Sequence, residues 1–189
     1  MASHLLSKSS FIKGLQCEKH LFLYKYHYNE MDELSEMQKA IFKRGTNVGE
    51  LAHKLFPGGV IAAKGDPPNY DAALKKTKEL INDGAKVIYE AAFMFNEVLS
   101  IADIVVRENG GLKVYEVKSS TSISETYLND AALQYYVISS LGMRVKDFSI
   151  IYINNQYVRK GNLDIEELFT TESVLEFILP LQKTVKENV

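Results

Sequence analysis

Residues 99–120 read LSIADIVVRENGGLKVYEVKSS. Two runs rich in Val, Ile, Leu and Tyr flank Asn109-Gly110-Gly111, and Asn and Gly tolerate the positive backbone angles of tight hairpin turns, so the stretch reads as a β-hairpin. If Asn109–Gly110 is the turn, Asp103 sits opposite Glu116; if Gly110–Gly111 is the turn, Asp103 faces Lys118. In both registers Asp103, Glu116 and Lys118 share one face, because side chains alternate with period two. Directly opposed Cβ atoms lie ~4.5–5.5 Å apart, and two carboxylates there repel by roughly 3 kcal/mol at an effective dielectric near 20. A divalent cation between them turns repulsion into attraction, and two carboxylates plus water suit Mg²⁺ or Mn²⁺. Lys118 projects toward the same place and can position a water or hydroxide, or stabilise charge developing on a phosphate. The plain alternative is a salt bridge between Lys118 and one acid. Ile101, Val105 and Val114 are expected on the same face and argue for burial, which favours a functional triplet.

Around the hairpin the chain reads as α/β, with a central mixed sheet flanked by helices. VIYEAAFMF (87–95) is a strand preceding the hairpin. A helix from about Ser124 to Leu141, ended by Gly142, and a strand over 145–153 complete a strand–helix–strand unit that should cross over right-handed and lie parallel. Upstream, Ser7 caps a short helix through Phe11, Ile12 and Leu15, and Leu21 to Tyr24 continue it, with or without a kink near Cys17. A longer helix runs from about Ser35 to Phe56, stopped by Pro57-Gly58-Gly59. Residues 66–69 form a loop, and Asp71 to Ile81 a surface helix exposing Lys75, Lys76 and Lys78. Downstream, Asn154 to Gly161 is turn-rich, and a final helix from about Glu172 reaches the last residue without a stop signal. That leaves open whether the chain is a fragment of something longer.

The composition bounds the reading. With 189 residues, 46% hydrophobic and 24% charged, the chain is an ordinary globular sequence of one domain. A net charge of −2 argues against a passive coat for nucleic acid. The charge is uneven, however: Lys8, Lys13, Lys19 and Lys25 make the first 30 residues a basic end. One cysteine excludes an internal disulfide and a Cys-built zinc or iron–sulfur site within this chain. No apolar run approaches ~20 residues and no signal peptide opens the chain, so no membrane partner is expected and the default location is cytoplasmic.

Two further features converge on the triplet. Gly45, Gly49 and His53 recur every four residues of the long helix, so small residues would let it approach the sheet closely and the imidazole could supply a nitrogen to Mn²⁺. Gln134, on the helix after the Glu-Val-Lys strand, can donate to a phosphate oxygen or a metal water, and Tyr135 and Tyr136 flank it.

This pattern resembles the PD-(D/E)XK nuclease superfamily, and within it the RecB-like exonucleases: Gly45-x-x-x-Gly49-x-x-x-His53, then Ile101-Ala102-Asp103, then Glu116-Val117-Lys118, then Gln134. SKSSFIKGLQCEKHLFL (7–23) is similar to the segment that opens CRISPR-associated RecB-like nucleases and related uncharacterised proteins, and YVRKGNLDIEELF (157–169) resembles the uncharacterised group. The resemblance implies a restriction-endonuclease-like core and a Mg²⁺- or Mn²⁺-dependent deoxyribonuclease, an exonuclease by its branch, with DNA as partner. Asp103 and Glu116 would be metal ligands with the backbone carbonyl of Val117 as a third and His53 as an additional one, Lys118 the group that orients or activates the attacking water, and Gln134 part of a Gln-x-x-x-Tyr motif. The sequence departs from that motif at Ile138. Glu90 matches an acidic position that some relatives place near the metal. Cys17 stands where many relatives hold an iron–sulfur cluster, but its partners are missing, so no cluster is expected and Cys17 reads as a small core side chain. The lysines of residues 8–25 and 75–78 are the expected phosphate contacts. The rival functions are a non-catalytic nucleic-acid-binding scaffold and a hydrolase of RNA at the same site.

Overall fold

A computed structural model of the protein describes residues 5–65 and 67–189; the first four residues and Asp66, the start of the expected loop, lie outside them. In chain order the elements are β1 (Leu6–Ser7), α1 (Lys8–Gln16), α2 (Glu18–Tyr26), α3 (Glu36–Ala52), β2 (Val60–Ile61), α4 (Tyr70–Asn82), β3 (Val87–Phe95), β4 (Val98–Glu108), β5 (Gly111–Lys118), α5 (Glu125–Ser140), β6 (Val145–Ile153), α6 (Ile165–Leu168), β7 (Phe169–Ser173), α7 (Leu175–Ile178) and α8 (Gln182–Asn188). Among the described residues they build a seven-stranded mixed sheet, ordered β2-β3-β4-β5-β6-β7 with β1 on β4, flanked by helices. The helices start where the sequence offers an oxygen to the free N–H groups of a first turn: Ser7 and Ser35 form capping boxes, and Asn69 and Ser124 cap α4 and α5.

The hairpin turns on Asn109 and Gly110, both at positive φ (46° and 76°), and pairs Glu108 with Gly111 and Ile104 with Tyr115. This is the first of the two registers the sequence allows. The β4–β5 ladder stops at Ile104 and Tyr115. Beyond that point β4 keeps β3 on one side and takes β1 on the other, through Leu6↔Val98 and Ser7↔Leu99, while β5 stays with β6. The two strands therefore part, and Asp103 and Glu116 lie at the crotch of the fork.

At the same level the side-chain alternation of β3 and β4 slips. Ile88 and Ala91, three apart, belong to one core cluster, and so do Ala102 and Val105. Tyr89 and Ile104 belong to the cluster on the opposite face. The slip falls on Glu90, whose φ of 53° is left-handed, and on Asp103 across from it, where the β3–β4 pairing is interrupted. A non-glycine residue held there costs on the order of 1–3 kcal/mol, which the surrounding ladder sustains. The slip also corrects the expected neighbourhood of Asp103: Val105 and Val114 join the main core, whereas Ile101 packs with Ala63 and Ala92 in a separate cluster.

One face of the sheet is covered by α5, whose Ala131, Leu133, Val137 and Ile138 are fully buried, with Phe11 of α1 and Ile178 of α7 in the same core. The other face is covered by α3, through Val48 and Ala52 against Tyr89, Ile104 and Ile151. Two expectations need correction. The single C-terminal helix is instead β7, antiparallel to β6, followed by two short helices interrupted at Pro180, which cannot continue a helical ladder. Cys17 is exposed rather than buried, because it sits in extended backbone (φ −169°, ψ 120°) at the break between α1 and α2. Among the described residues no helix is long and apolar enough to cross a membrane.

Candidate functional site

Where β4 and β5 separate, the backbone N–H of Val117 would lose its strand partner. The Asp103 carboxylate takes that role, accepting from Val117 N at 2.6 Å. The bond fixes the Val117 peptide and holds Asp103 at the fork. One residue back, the Glu116 side chain is 4% exposed and receives four hydrogen bonds. Lys8 Nζ donates to both of its oxygens at 3.0 Å, Lys118 Nζ to Oε1 at 2.7 Å, and Gln134 Nε2 to Oε2 at 2.7 Å. Lys118 Nζ also reaches Asp130 Oδ2 at 2.6 Å, and Gln134 Nε2 lies 3.3 Å from Asp130 Oδ1. α5 thus brings a stripe of Tyr127, Asp130 and Gln134 to the strand, and the Tyr127 ring lies under the Lys118 ammonium, 5.1 Å from Nζ to the ring centroid.

The charges do not share this environment equally. Burial pushes Glu116 up, but Lys118 and Lys8, with the hydrogen bonds from Lys118 and Gln134, outweigh it and hold the carboxyl down at about 2. Asp103 has no lysine in contact: burial, and then the negative charge of Glu116, push its carboxyl up to about 8. Glu90 is raised for the same two reasons, burial first. Lys8 and Lys118 stay firmly protonated, since the surrounding carboxylates overcome the burial that opposes their charge. Glu116 is therefore the satisfied anion of the site and Asp103 the frustrated one, a division that a cation shared between them would remove.

Across the fork, α3 supplies the rest. His53, the residue that caps the C-terminus of α3, lines one cavity of about 520 Å³ together with Glu90, Asp103, Glu116, Val117 and Lys118. Burial lowers the His53 pKa, so the ring is neutral, and its Nε2 is buried without a hydrogen-bond partner. The ring stacks on Tyr89 (centroids 3.9 Å, planes 10° apart), whose hydroxyl donates to the His53 and Phe56 carbonyls at 3.1 and 2.5 Å. Gly45 and Gly49 line the same cavity, but a Cβ on either would meet nothing within 4 Å. Their expected role, close helix–sheet packing, is not what they do; they leave the cavity wall bare. Gly59 does govern a close approach, because a Cβ there would fall 2.3 Å from the Tyr89 ring. Gly59→Ala should displace that ring and lower stability by ~1–3 kcal/mol. Thermal melts check this; an unchanged melting temperature would show that the Tyr89 ring yields freely.

Of the residues singled out in the sequence, Asp103, Glu116, Val117, Lys118 and His53 line one cavity, and Gln134 contacts Glu116 from behind. Among the described residues no three His, Cys, Asp or Glu side chains are already clustered as a ready-made metal cage. Tyr135 and Tyr136 are not part of the site: Tyr136 packs edge-on against Phe95, and Ile138 is core. The site tyrosine is Tyr127. It and Asp130 carry no motif of their own in the sequence; their signal is the spacing to Gln134, which marks one face of α5. Lys8 was expected at a phosphate and instead grips Glu116. Lys13 lies over the Tyr24 ring, 4.5 Å from its centroid, and Lys25 bonds the Leu5 carbonyl; Lys75, Lys76 and Lys78 are exposed as expected.

No family model matches the chain, and no curated protein matches it. Among solved structures, the protein SSO0001 aligns over 95% of this chain and 85% of its own at 13% identity, with a TM-score of 0.32.

Proposed function

We propose that the protein is a Mg²⁺- or Mn²⁺-dependent nuclease that hydrolyses phosphodiester bonds of DNA, of the PD-(D/E)XK kind its motifs resemble. The reading is carried by one observation: Asp103, Glu116, Lys118 and a neutral imidazole with a partnerless buried nitrogen line a single cavity. This donor set, two carboxylates and one imidazole against a wall bared by two glycines, fits a hard divalent ion with room for substrate. Asp103, Glu116, His53 and the Val117 carbonyl would hold that ion, which when bound supplies Lewis-acid stabilisation of the charge developing on a phosphate. The chain's own residues do the rest. Gln134 and Asp130 lock Glu116 and Lys118 in orientation, and the protonated Lys118 ammonium can orient a water or stabilise phosphate charge at the fork. The Asp103–Val117 bond fixes the Glu116–Val117 peptide, the unit just before the Val117 carbonyl.

The test is cleavage of end-labelled linear single- and double-stranded DNA, with matched RNA alongside, in Mn²⁺ and in EDTA. Divalent-dependent cleavage of DNA is expected, and the product ladder separates end trimming from internal cuts. Cleavage of RNA alone would transfer the site to the other polymer. No cleavage together with no Mn²⁺ binding would replace the reading by a nucleic-acid-binding scaffold.

A further inference from the structure

Lys8 is the residue of the cluster that arrives from outside the sheet and α5. It is the first residue of α1, placed by the Ser7 cap, and Ser7 in turn is paired to β4 through Leu99. Its ammonium stands 3.0 Å from each Glu116 oxygen, with the side chain only 23% exposed. An ammonium straddling a carboxylate takes up the two oxygens that a hard cation would ligate. Two cavities meet at Glu116 and Lys118: the one that holds His53 and Asp103, and a second lined by Lys8, Lys13, Tyr70, Leu99 and Ile101. Lys8 can therefore swing away from Glu116 into the second cavity while Phe11 keeps α1 anchored in the core.

Resting on the metal site proposed above, we infer that Lys8 competes with the divalent cation for Glu116, so that the carboxylate is held by one or the other and loading the ion releases the lysine. Lys8 is thus a positioning residue. It keeps Glu116 aimed into the fork, and it makes metal loading and the seat of the α1 N-terminus a single exchange. An ordinary structural ion pair has no such coupling.

The experiment compares native protein, Lys8→Met and Lys8→Arg by Mn²⁺ titration calorimetry and by thermal melts in EDTA and in saturating Mn²⁺. Lys8→Met should bind Mn²⁺ about ten-fold more tightly, because the competitor is gone. It should melt below the native protein in EDTA, with the gap closing in Mn²⁺. Lys8→Arg, which keeps the charge, should bind no more tightly than native. If the native protein binds Mn²⁺ and Lys8→Met binds it no better, the competition is overturned and the metal site stands. If neither binds Mn²⁺ while both melt cooperatively, both inferences fall. Should Lys8→Met not fold in EDTA, Lys8→Gln, neutral but able to donate to Glu116, carries the same comparison.

Discussion

Asp103→Asn should make the protein more stable at pH 8 in EDTA while abolishing divalent-dependent cleavage. The Asp103 carboxyl titrates at about 8 in the folded chain against an ordinary 3.8. Below about pH 4 it is protonated in both states and costs nothing. As the pH rises from there toward 8, the unfolded chain releases a proton that the folded chain retains, so stability falls across this window, by on the order of 5 kcal/mol at its upper end. Glu116 runs the other way: held at about 2 against an ordinary 4.5, it contributes stability that is present above 4.5 and lost as the pH falls toward 2. Asparagine carries no charge to desolvate, and its amide oxygen can still accept the Val117 N–H. Melts in EDTA from pH 4 to 9 should show stability declining with pH in the native protein and a flatter upper limb in the variant. Saturating Mn²⁺ should reverse the ranking, since the native site alone gains an ion. Parallel native and variant curves in EDTA would mean that Asp103 is not the frustrated charge. A stabilised but inactive variant is the pattern expected where a site holds charges for function at the expense of the fold.

The second large effect is expected at Lys118. Its ammonium bridges Glu116 Oε1 and Asp130 Oδ2 at 2.7 and 2.6 Å in a largely buried position. Lys118→Met leaves Asp130 without its cation and Glu116 with Lys8 alone, a loss of ~3–5 kcal/mol by analogy with other broken buried pairs. Cleavage should fall by about 10³-fold, as when an electrostatic stabiliser of a transition state is removed. Stability and chemistry can be separated because Asp130 holds Lys118 without lining the cavity of Asp103 and His53. Adding Asp130→Asn to Lys118→Met should recover most of the lost stability in urea denaturation, yet recover no cleavage in single-turnover assays. A double variant that regained both would reduce Lys118 to a structural counterion.

What could be read from the sequence shares one property: it depends on neighbours in the chain. Asn109-Gly110 and the period-two runs around it locate the hairpin and put Asp103, Glu116 and Lys118 near one another, because both strands measure their positions from the same turn. Ser7, Ser35 and Ser124 mark helix starts for an equally local reason, the unpaired N–H groups of a first turn. Tyr127, Asp130 and Gln134 were within reach of the same logic as one face of α5. Short β7 was not, since five residues ending a polar stretch become a strand only because β6 offers a free edge.

By itself, then, the sequence determined an α/β chain with a central mixed sheet, the hairpin, and the carboxylate–lysine set it carries. Tertiary structure decided how those charges are balanced. Lys8 meets Glu116 across 108 residues of chain, a contact that no local periodicity encodes. The fork that admits it exists because β1 claims the edge of β4 that β5 gives up. The alternation slip at Glu90 and Asp103 is a backbone conformation imposed by the assembled sheet on residues that do not favour it. Local backbone preferences write the elements, whereas the field at a buried carboxylate is set by whatever distant charge the packing brings to it.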